Sequence, residues 1–139
     1  TIISTDSESR RVFNRMRFIL GNIDNIVGLE IPVYSDKLRV AGTTDCVAEY
    51  NGKISVIDFK TSCKPKREEW IEDYWIQAAF YAAAFYEMTG CIPEQLVIII
   101  AVRNSFDVQV FKKSIFDSDI YIDKLVDIMK KDPQVIQIK

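Results

Sequence analysis

The sequence predicts an α/β fold, with helices packed on a central mixed β-sheet, and three observations carry that prediction. Helical periodicity opens and closes the chain, and strand-like stretches fill the interval in the order helix, three strands, helix, two strands, helix. Asn51-Gly52 separates two of those stretches by two residues, a strong signal for a type I′ hairpin. The stretch "QLVIIIAV" (95–102) shows no polar alternation, which suits a central strand covered on both faces.

The elements follow in order. Residues 4–7, Ser-Thr-Asp-Ser, offer helix caps, and Val12, Met16, Ile19 and Leu20 recur at helical spacing until Gly21-Asn22. "LEIPVYS" (29–35) reads as a strand, with Pro32 suggesting an edge. Residues 37–50 read as a longer strand, bulged at Gly42. The hairpin returns through "KISVIDFKT" (53–61). A helix is expected over 68–89, closed by Gly90, with Ile71, Tyr74, Trp75, Ala78, Ala82, Phe85 and Tyr86 as its core stripe. After the strand at 95–102, a turn at Asn104-Ser105 leads into "DVQVFKK" (107–113). A last helix is expected from a cap at Asp117 to Lys131, before Pro133.

At 139 residues the chain is most economically one domain, 1–139, with one sizeable core. Apolar residues make 48% and charged residues 27%, a balance that excludes fibrous and disordered classes. No apolar run approaches roughly 18 residues, so no membrane partner is expected. No signal peptide is read. Thr1, not Met, opens the sequence, which is compatible with a fragment lacking an upstream helix. Cys46, Cys63 and Cys91 are scattered and odd in number. They predict semi-buried thiols in a reducing intracellular compartment. Their spacing fits no zinc or iron–sulfur site.

The net charge of −2 predicts no nucleic-acid partner by itself, but the distribution is uneven. Lys60, Lys64, Lys66 and Arg67 cluster without an intervening acid, and such a patch can hold a phosphate backbone on an acidic chain. Arg10, Arg11, Arg15 and Arg17 form a second cluster, read as a solvated surface.

One stretch stands out. "GKISVIDFKTS" is an apolar strand interrupted by Asp58 and Lys60 at its most buried-looking end. Residues two apart share a face of a strand, so this acid and base point one way, and Ile57 and Phe59 the other. If Asn51-Gly52 is the turn, Asp45 lies opposite Asp58. Opposed carboxylates are destabilising unless a positive charge joins them. A divalent cation answers that need, and hard oxygen ligands suit Mg²⁺ or Mn²⁺ better than Zn²⁺. Lys60 could then touch metal-bound water or a scissile phosphate. A surface acid pair with a lysine counter-ion is the alternative.

On the following helix, Gln77 and Tyr81 lie one turn apart on a flank toward which Trp70 and Tyr74 also project. A glutamine among so many apolar residues needs a specific partner. The aromatics beside it could stack on unpaired bases, or be core.

Together "GTTD", "DFK" and "QAAFY" resemble the PD-(D/E)XK nuclease superfamily in its RecB-type branch, which pairs G-x-x-D and D-x-K with Q-x-x-x-Y. The strings "AGTTDCVAEYNGKISVIDFKTSCKPK" and "DYWIQAAFYAAAFYEMTG" look most like the mitochondrial genome maintenance exonuclease family and its phage and bacterial relatives. The likeness covers about 30–102. It implies a restriction-endonuclease-like core and a Mg²⁺- or Mn²⁺-dependent nuclease that cuts single-stranded DNA and needs a free end. By that resemblance Asp45, Asp58 and the Phe59 carbonyl would hold metal. Lys60 would be catalytic, Gln77 and Tyr81 would organise the site and the DNA backbone, and Glu30 would be an accessory acid. Lys64, Lys66, Arg67, Trp70 and Tyr74 would meet the DNA.

One departure bears on catalysis. That branch carries a metal-binding histidine on its first helix, and this sequence has no histidine. Glu8 is a candidate substitute, or the histidine-bearing helix lies upstream. Three cysteines exclude the four-cysteine cluster of some relatives. The reading is a nuclease acting on single-stranded ends in replication, repair or recombination. Its alternatives are a structure-specific endonuclease and a weakly catalytic DNA-binding or assembly module.

Overall fold

The computed structural model describes residues 7–105, 107–131 and 136–138. Helix α1 (Ser7–Leu20) leads into β1 (Ile23–Ser35), β2 (Val40–Tyr50) and β3 (Lys53–Ser62). Helix α2 (Glu72–Thr89) crosses to β4 (Gln95–Val102), which turns back through β5 (Asp107–Ser114). Helix α3 (Asp119–Lys131) and a short β6 (Ile136–Ile138) follow. The predicted order holds, with β6 added. The caps expected at residues 4–6, the Glu8 side chain and Pro133 lie outside the described residues.

The sheet runs β1-β2-β3-β4-β5, and β6 pairs with β2. It is mixed: β3 and β4 are parallel, as are β2 and β6, and the remaining neighbours are antiparallel. Parallel neighbours need a long crossover, which α2 supplies. Pro32 does sit in an edge strand, opposite Thr43. That strand begins six residues before the expected start, because Ile23 and Asp24 pair with Tyr50 and Glu49. The irregularity expected at Gly42 lies instead in β1, between Asp24 and Gly28, while Gly42 stays in register with Val33. At the hairpin, Asn51 and Gly52 take φ of 52° and 81°, as a type I′ turn requires, and Tyr50 faces Lys53.

Two apolar layers cover the sheet. Alternate residues Val56, Leu96, Ile98 and Ile100 face α2 and α3, packing on Trp75, Ala78, Phe85 and Leu125. Ile57, Val97 and Ile99 face the other way, with Ile19 of α1 and Cys46. Residues 96–100 are wholly buried, which is why β4 lacks polar alternation.

Helix α2 departs from expectation in two ways. It starts at Glu72, because 68–70 form a separate 3-10 turn and Ile71 is non-helical with φ −109°. Buried Ile71 anchors that break in the α2-side core. The helix is also buried almost all round, including Ile76, Ala79, Phe80 and Ala84, since it lies between sheet and α3, whereas Tyr86 of the expected stripe is exposed. Gly90 closes it as expected, with φ 77° and its N–H donated to the Tyr86 carbonyl at 2.7 Å. Helix α3 likewise begins at Asp119, after a 3-10 turn at Ile115–Asp117. Among the described residues, no helix is long and apolar enough to cross a membrane.

Candidate active site

The site forms where β2 and β3 part. From Tyr50↔Lys53 to Cys46↔Ile57 the strands pair in one register. The next pair in that register is Asp45 and Asp58, and there the ladder ends. The Asp45 side chain takes over: its Oδ2 accepts the Phe59 N–H at 2.9 Å, a bond that would otherwise belong to the ladder. Farther along β2, residues 40–42 pair with β6 while β3 continues alone beside β4. Thr43, Thr44 and Asp45 therefore lie in a fork between two stretches of paired strand.

Alternation sends Asp58 and Lys60 to the α2 face, with Val56. Asp58 is 3% exposed. Its Oδ2 lies 3.0 Å from the Lys60 ammonium, yet that atom has no aligned hydrogen-bond donor. Burial pushes the Asp58 carboxyl up to about 6, Lys60 only partly offsets this, and Asp45 beside it pushes the same way as burial. The fork thus holds a buried carboxylate with an unmet need for positive charge.

Helix α2 lays two polar groups over this carboxylate. Gln77 is buried, and its Oε1 accepts from the Lys60 ammonium at 2.6 Å. That bond is the specific partner the glutamine needed. The same ammonium lies 5.0 Å from the centre of the Tyr74 ring. Tyr81 is wholly buried, its hydroxyl unpaired. Burial, Asp58 and Asp45 all hold that hydroxyl protonated, above its ordinary range. Its ring is therefore not available to stack on a base, and of the two readings open to it Tyr81 takes the core one, in the packing behind the carboxylates.

The other sequence candidates are more dispersed. Glu30 falls in β1 between Leu29, which faces Cys46, and Ile31, which faces Thr44. It is level with Asp45 but exposed, with a left-handed φ of 48°. Among the described residues, no third Asp, Glu, Cys or His joins Asp45 and Asp58 in a metal-binding group. Lys64, Lys66 and Arg67 follow the end of β3, and Lys66 is tied to β5. The Lys66 N–H donates to Gln109 Oε1, and Gln109 Nε2 donates to the Lys66 carbonyl, both at 2.8 Å. Trp70 sits on the 3-10 turn rather than the α2 flank, 61% exposed and 5.3 Å from the Arg67 guanidinium.

Two arginines of the α1 cluster have structural partners. Arg11 donates to the Ser105 carbonyl at 2.9 Å and Arg15 pairs with Asp107 at 3.3 Å, tying α1 to the β4–β5 turn. The three thiols are free; Cys46 is buried, Cys91 half-buried, and Cys63 exposed rather than semi-buried.

Residues without a sequence signal also border the site. Leu125 and Ile128 of α3 share a cleft with Lys60 and Gln77, a neighbourhood that only the tertiary packing of α3 on α2 creates. Thr44, buried with an unpaired hydroxyl, lies in the fork. Its only sequence clue is its place before Asp45 in "GTTD".

A divalent cation suits this donor set in kind. Two hard carboxylates meet at one point, and one of them is buried with an unpartnered oxygen. The described residues supply only part of a six-ligand shell, and water and substrate oxygens commonly complete such a site.

Comparison with known proteins identifies relatives and a family for the chain. The chain is 49% identical over 51 residues to mitochondrial genome maintenance exonuclease 1 of Mus musculus, covering 37% of this chain and 15% of that protein. It is 40% identical over 72 residues to the Xenopus tropicalis protein of the same name, covering 50% and 20%. It is also 38% identical over 61 residues to an ATP-dependent helicase/nuclease of Clostridium beijerinckii, covering 42% of this chain and 5% of that one. The chain thus spans only a minor part of the length of these relatives. Its fold resembles a crystal structure from Eubacterium rectale, provisionally described as an exonuclease, with TM-score 0.52 at 12% identity, over 89% of this chain and 49% of that one. The family description that matches residues 6–125 is the PD-(D/E)XK nuclease superfamily. A match over that much of the chain, on a mixed sheet whose strands part at Asp45 and Asp58, makes the chain a member of the PD-(D/E)XK nuclease superfamily.

Proposed function

We propose that this chain is a metal-dependent DNA nuclease that hydrolyses phosphodiester bonds in single strands with a free end. The observation that carries the reading is the fork. Asp58 is buried beside Asp45, and Lys60 is shared between Asp58 and Gln77. The names of the relatives, exonuclease and helicase/nuclease, support it.

In this reading Asp45 and Asp58 hold Mg²⁺ or Mn²⁺. The bound ion would lower the pKa of water and offset charge on the phosphoryl oxygens. Gln77 holds the Lys60 ammonium in place at 2.6 Å, so Lys60 meets the phosphate as charge grows on it. Tyr81, wholly buried, acts as a positioning residue behind the carboxylates rather than as a DNA contact. Trp70 and Arg67, exposed together, suit a strand whose bases are open to stacking.

The test is cleavage of end-labelled single strands with Mg²⁺, Mn²⁺ or EDTA, by the native chain and by Asp58→Asn. Cutting that needs metal and is lost in Asp58→Asn is expected. Circular strands left intact while linear ones are degraded would establish the need for an end. Cut circles would make the protein an endonuclease.

A second reading has its own observation. No histidine is present, and no third ligand joins the two carboxylates among the described residues. That favours a module which binds DNA without cutting it. DNA binding with no cleavage in any of these metals would establish it.

A further inference from the structure

The packing of α3 on α2 leaves a cleft of about 370 Å³ that opens onto Lys60. Buried Leu125 and Gln77, half-buried Tyr74 and Lys60, and exposed Ile128 and Asp73 line it. Its volume is at the small end of the about 300–1,000 Å³ usual for small-molecule sites. It has room for one flat ring system and its sugar, not for a paired duplex.

The cleft is continuous with the fork through two residues. Lys60 and Gln77 line the cleft, and the Lys60 ammonium is 3.0 Å from the Asp58 carboxylate. The ammonium also lies 5.0 Å from the Tyr74 ring. A phosphate held by Lys60 therefore keeps its own nucleoside within reach of that ring. The walls there are apolar and aromatic, the surroundings in which a base gains by leaving water.

We propose that this cleft receives the unpaired base of the nucleotide flanking the scissile phosphate. Tyr74 stacks on that base and Ile128 closes on it from α3. The inference rests on the nuclease reading and deepens it, because it supplies a physical reason for single-strand preference. A base can enter the cleft only when it is free of its partner. Ile128 then sets affinity without touching the carboxylates.

The experiment is an abasic scan of the intact chain. Anisotropy in Ca²⁺ measures the affinity of short single strands in which each base in turn is replaced by an abasic residue. The cut position is mapped separately with Mn²⁺. Binding should weaken about tenfold when the missing base is the one beside the cut, and little elsewhere. Ile128→Trp fills the cleft from an exposed position, so it should bind the complete strand about tenfold more weakly and lose the position-dependent penalty. Tyr74→Leu keeps an apolar side chain but removes the ring, and it should behave likewise even if Ile128→Trp folds poorly. Equal affinity for every abasic strand, or a penalty undiminished in both variants, overturns the proposal. A change in sedimentation of Ile128→Trp with the penalty intact also overturns it and makes the cleft a contact between copies of the chain. Failure of the native chain to cut in any metal overturns the nuclease reading, and the cleft then stands as a base site only if one abasic position weakens binding and both variants remove that penalty.

Discussion

The β2–β3 hairpin has two halves that share strands, alternation and register, yet differ in what they do. Near the turn, Val47 faces Val56, Cys46 faces Ile57, and every step continues the ladder. One step farther, Asp45 and Asp58 would face each other, and the backbone pairing stops. The paired half buries Cys46, Val47, Val56 and Ile57 in the two cores and stabilises the fold. The open half holds Asp58 Oδ2 and, from α2, the Tyr81 hydroxyl on one face, and the Thr44 hydroxyl, which alternation turns to the other face, all buried without hydrogen bonds. Such groups cost free energy in a folded chain. The comparison teaches that the fold bears this cost locally, where the flanking ladders and the α2 core hold the strands in place. A region arranged this way is suited to a charged ligand rather than to stability.

The largest expected effect is at Asp58. Asp58→Asn should abolish cleavage, a loss beyond the about 10²–10³ of a single electrostatic contact. It should also melt higher than the native chain at pH 7 without metal, because it removes a buried charge that Lys60 offsets only in part. Cleavage retained together with lowered melting would break the contrast between the two halves.

Lys60→Ala should lower kcat by about 10²–10³ with KM little changed, since its ammonium is already held by Gln77 before substrate arrives. Lys60→Arg should rescue poorly, because a planar fork does not occupy the place of a compact ammonium. A raised KM with kcat preserved would make Lys60 a phosphate contact only.

The hairpin, its turn and the double burial of β4 were legible because each is a local signal: a two-residue turn, a period of two, an unbroken apolar run. The motif residues Asp58, Lys60 and Gln77 were legible for the same reason, and the fold does bring them together. The break at Ile71 was not, since burial against the core rather than propensity decides where α2 begins. Tyr81 was placed on a flank because helical periodicity gives one buried stripe, whereas α3 covers a second side of α2. The β1 irregularity and the pairing of β6 with β2 depend on distant chain, and no local pattern announces them.

Trp70 sharpens the contrast from outside both halves. It is exposed rather than core, so Trp70→Ala should leave the melting temperature unchanged while costing ~1–3 kcal/mol of single-strand affinity if the ring stacks on a base. A titration and a melting curve on one sample check both.

The smallest effect is expected at the turn. Gly52 holds φ 81° with open space where a Cβ would stand, so Gly52→Ala should cost about 1 kcal/mol through backbone conformation alone. Cleavage should be unaffected, since the paired half would still hold the fork. Chemical denaturation and a cleavage assay test the two parts.

The most direct test of the central claim is the stability difference between the native chain and Asp58→Asn, followed against pH with and without Mn²⁺. Folding raises the Asp58 carboxyl from the ordinary 3.8 to about 6, so the folded chain holds this proton more tightly than the unfolded chain does. Stability from this group is therefore full below about pH 4 and lost as pH rises through about 6. Glu87, held low by the Ser35 hydroxyl, titrates with the opposite sign but is common to both chains and cancels in the difference. Without metal, the native chain should lose about 2 kcal/mol relative to Asp58→Asn between pH 4 and pH 7. Mn²⁺ should restore that loss at pH 7 in the native chain and leave Asp58→Asn unmoved. A difference that stays flat with pH, or an equal Mn²⁺ shift in both chains, would contradict the assignment of the fork as a cation site.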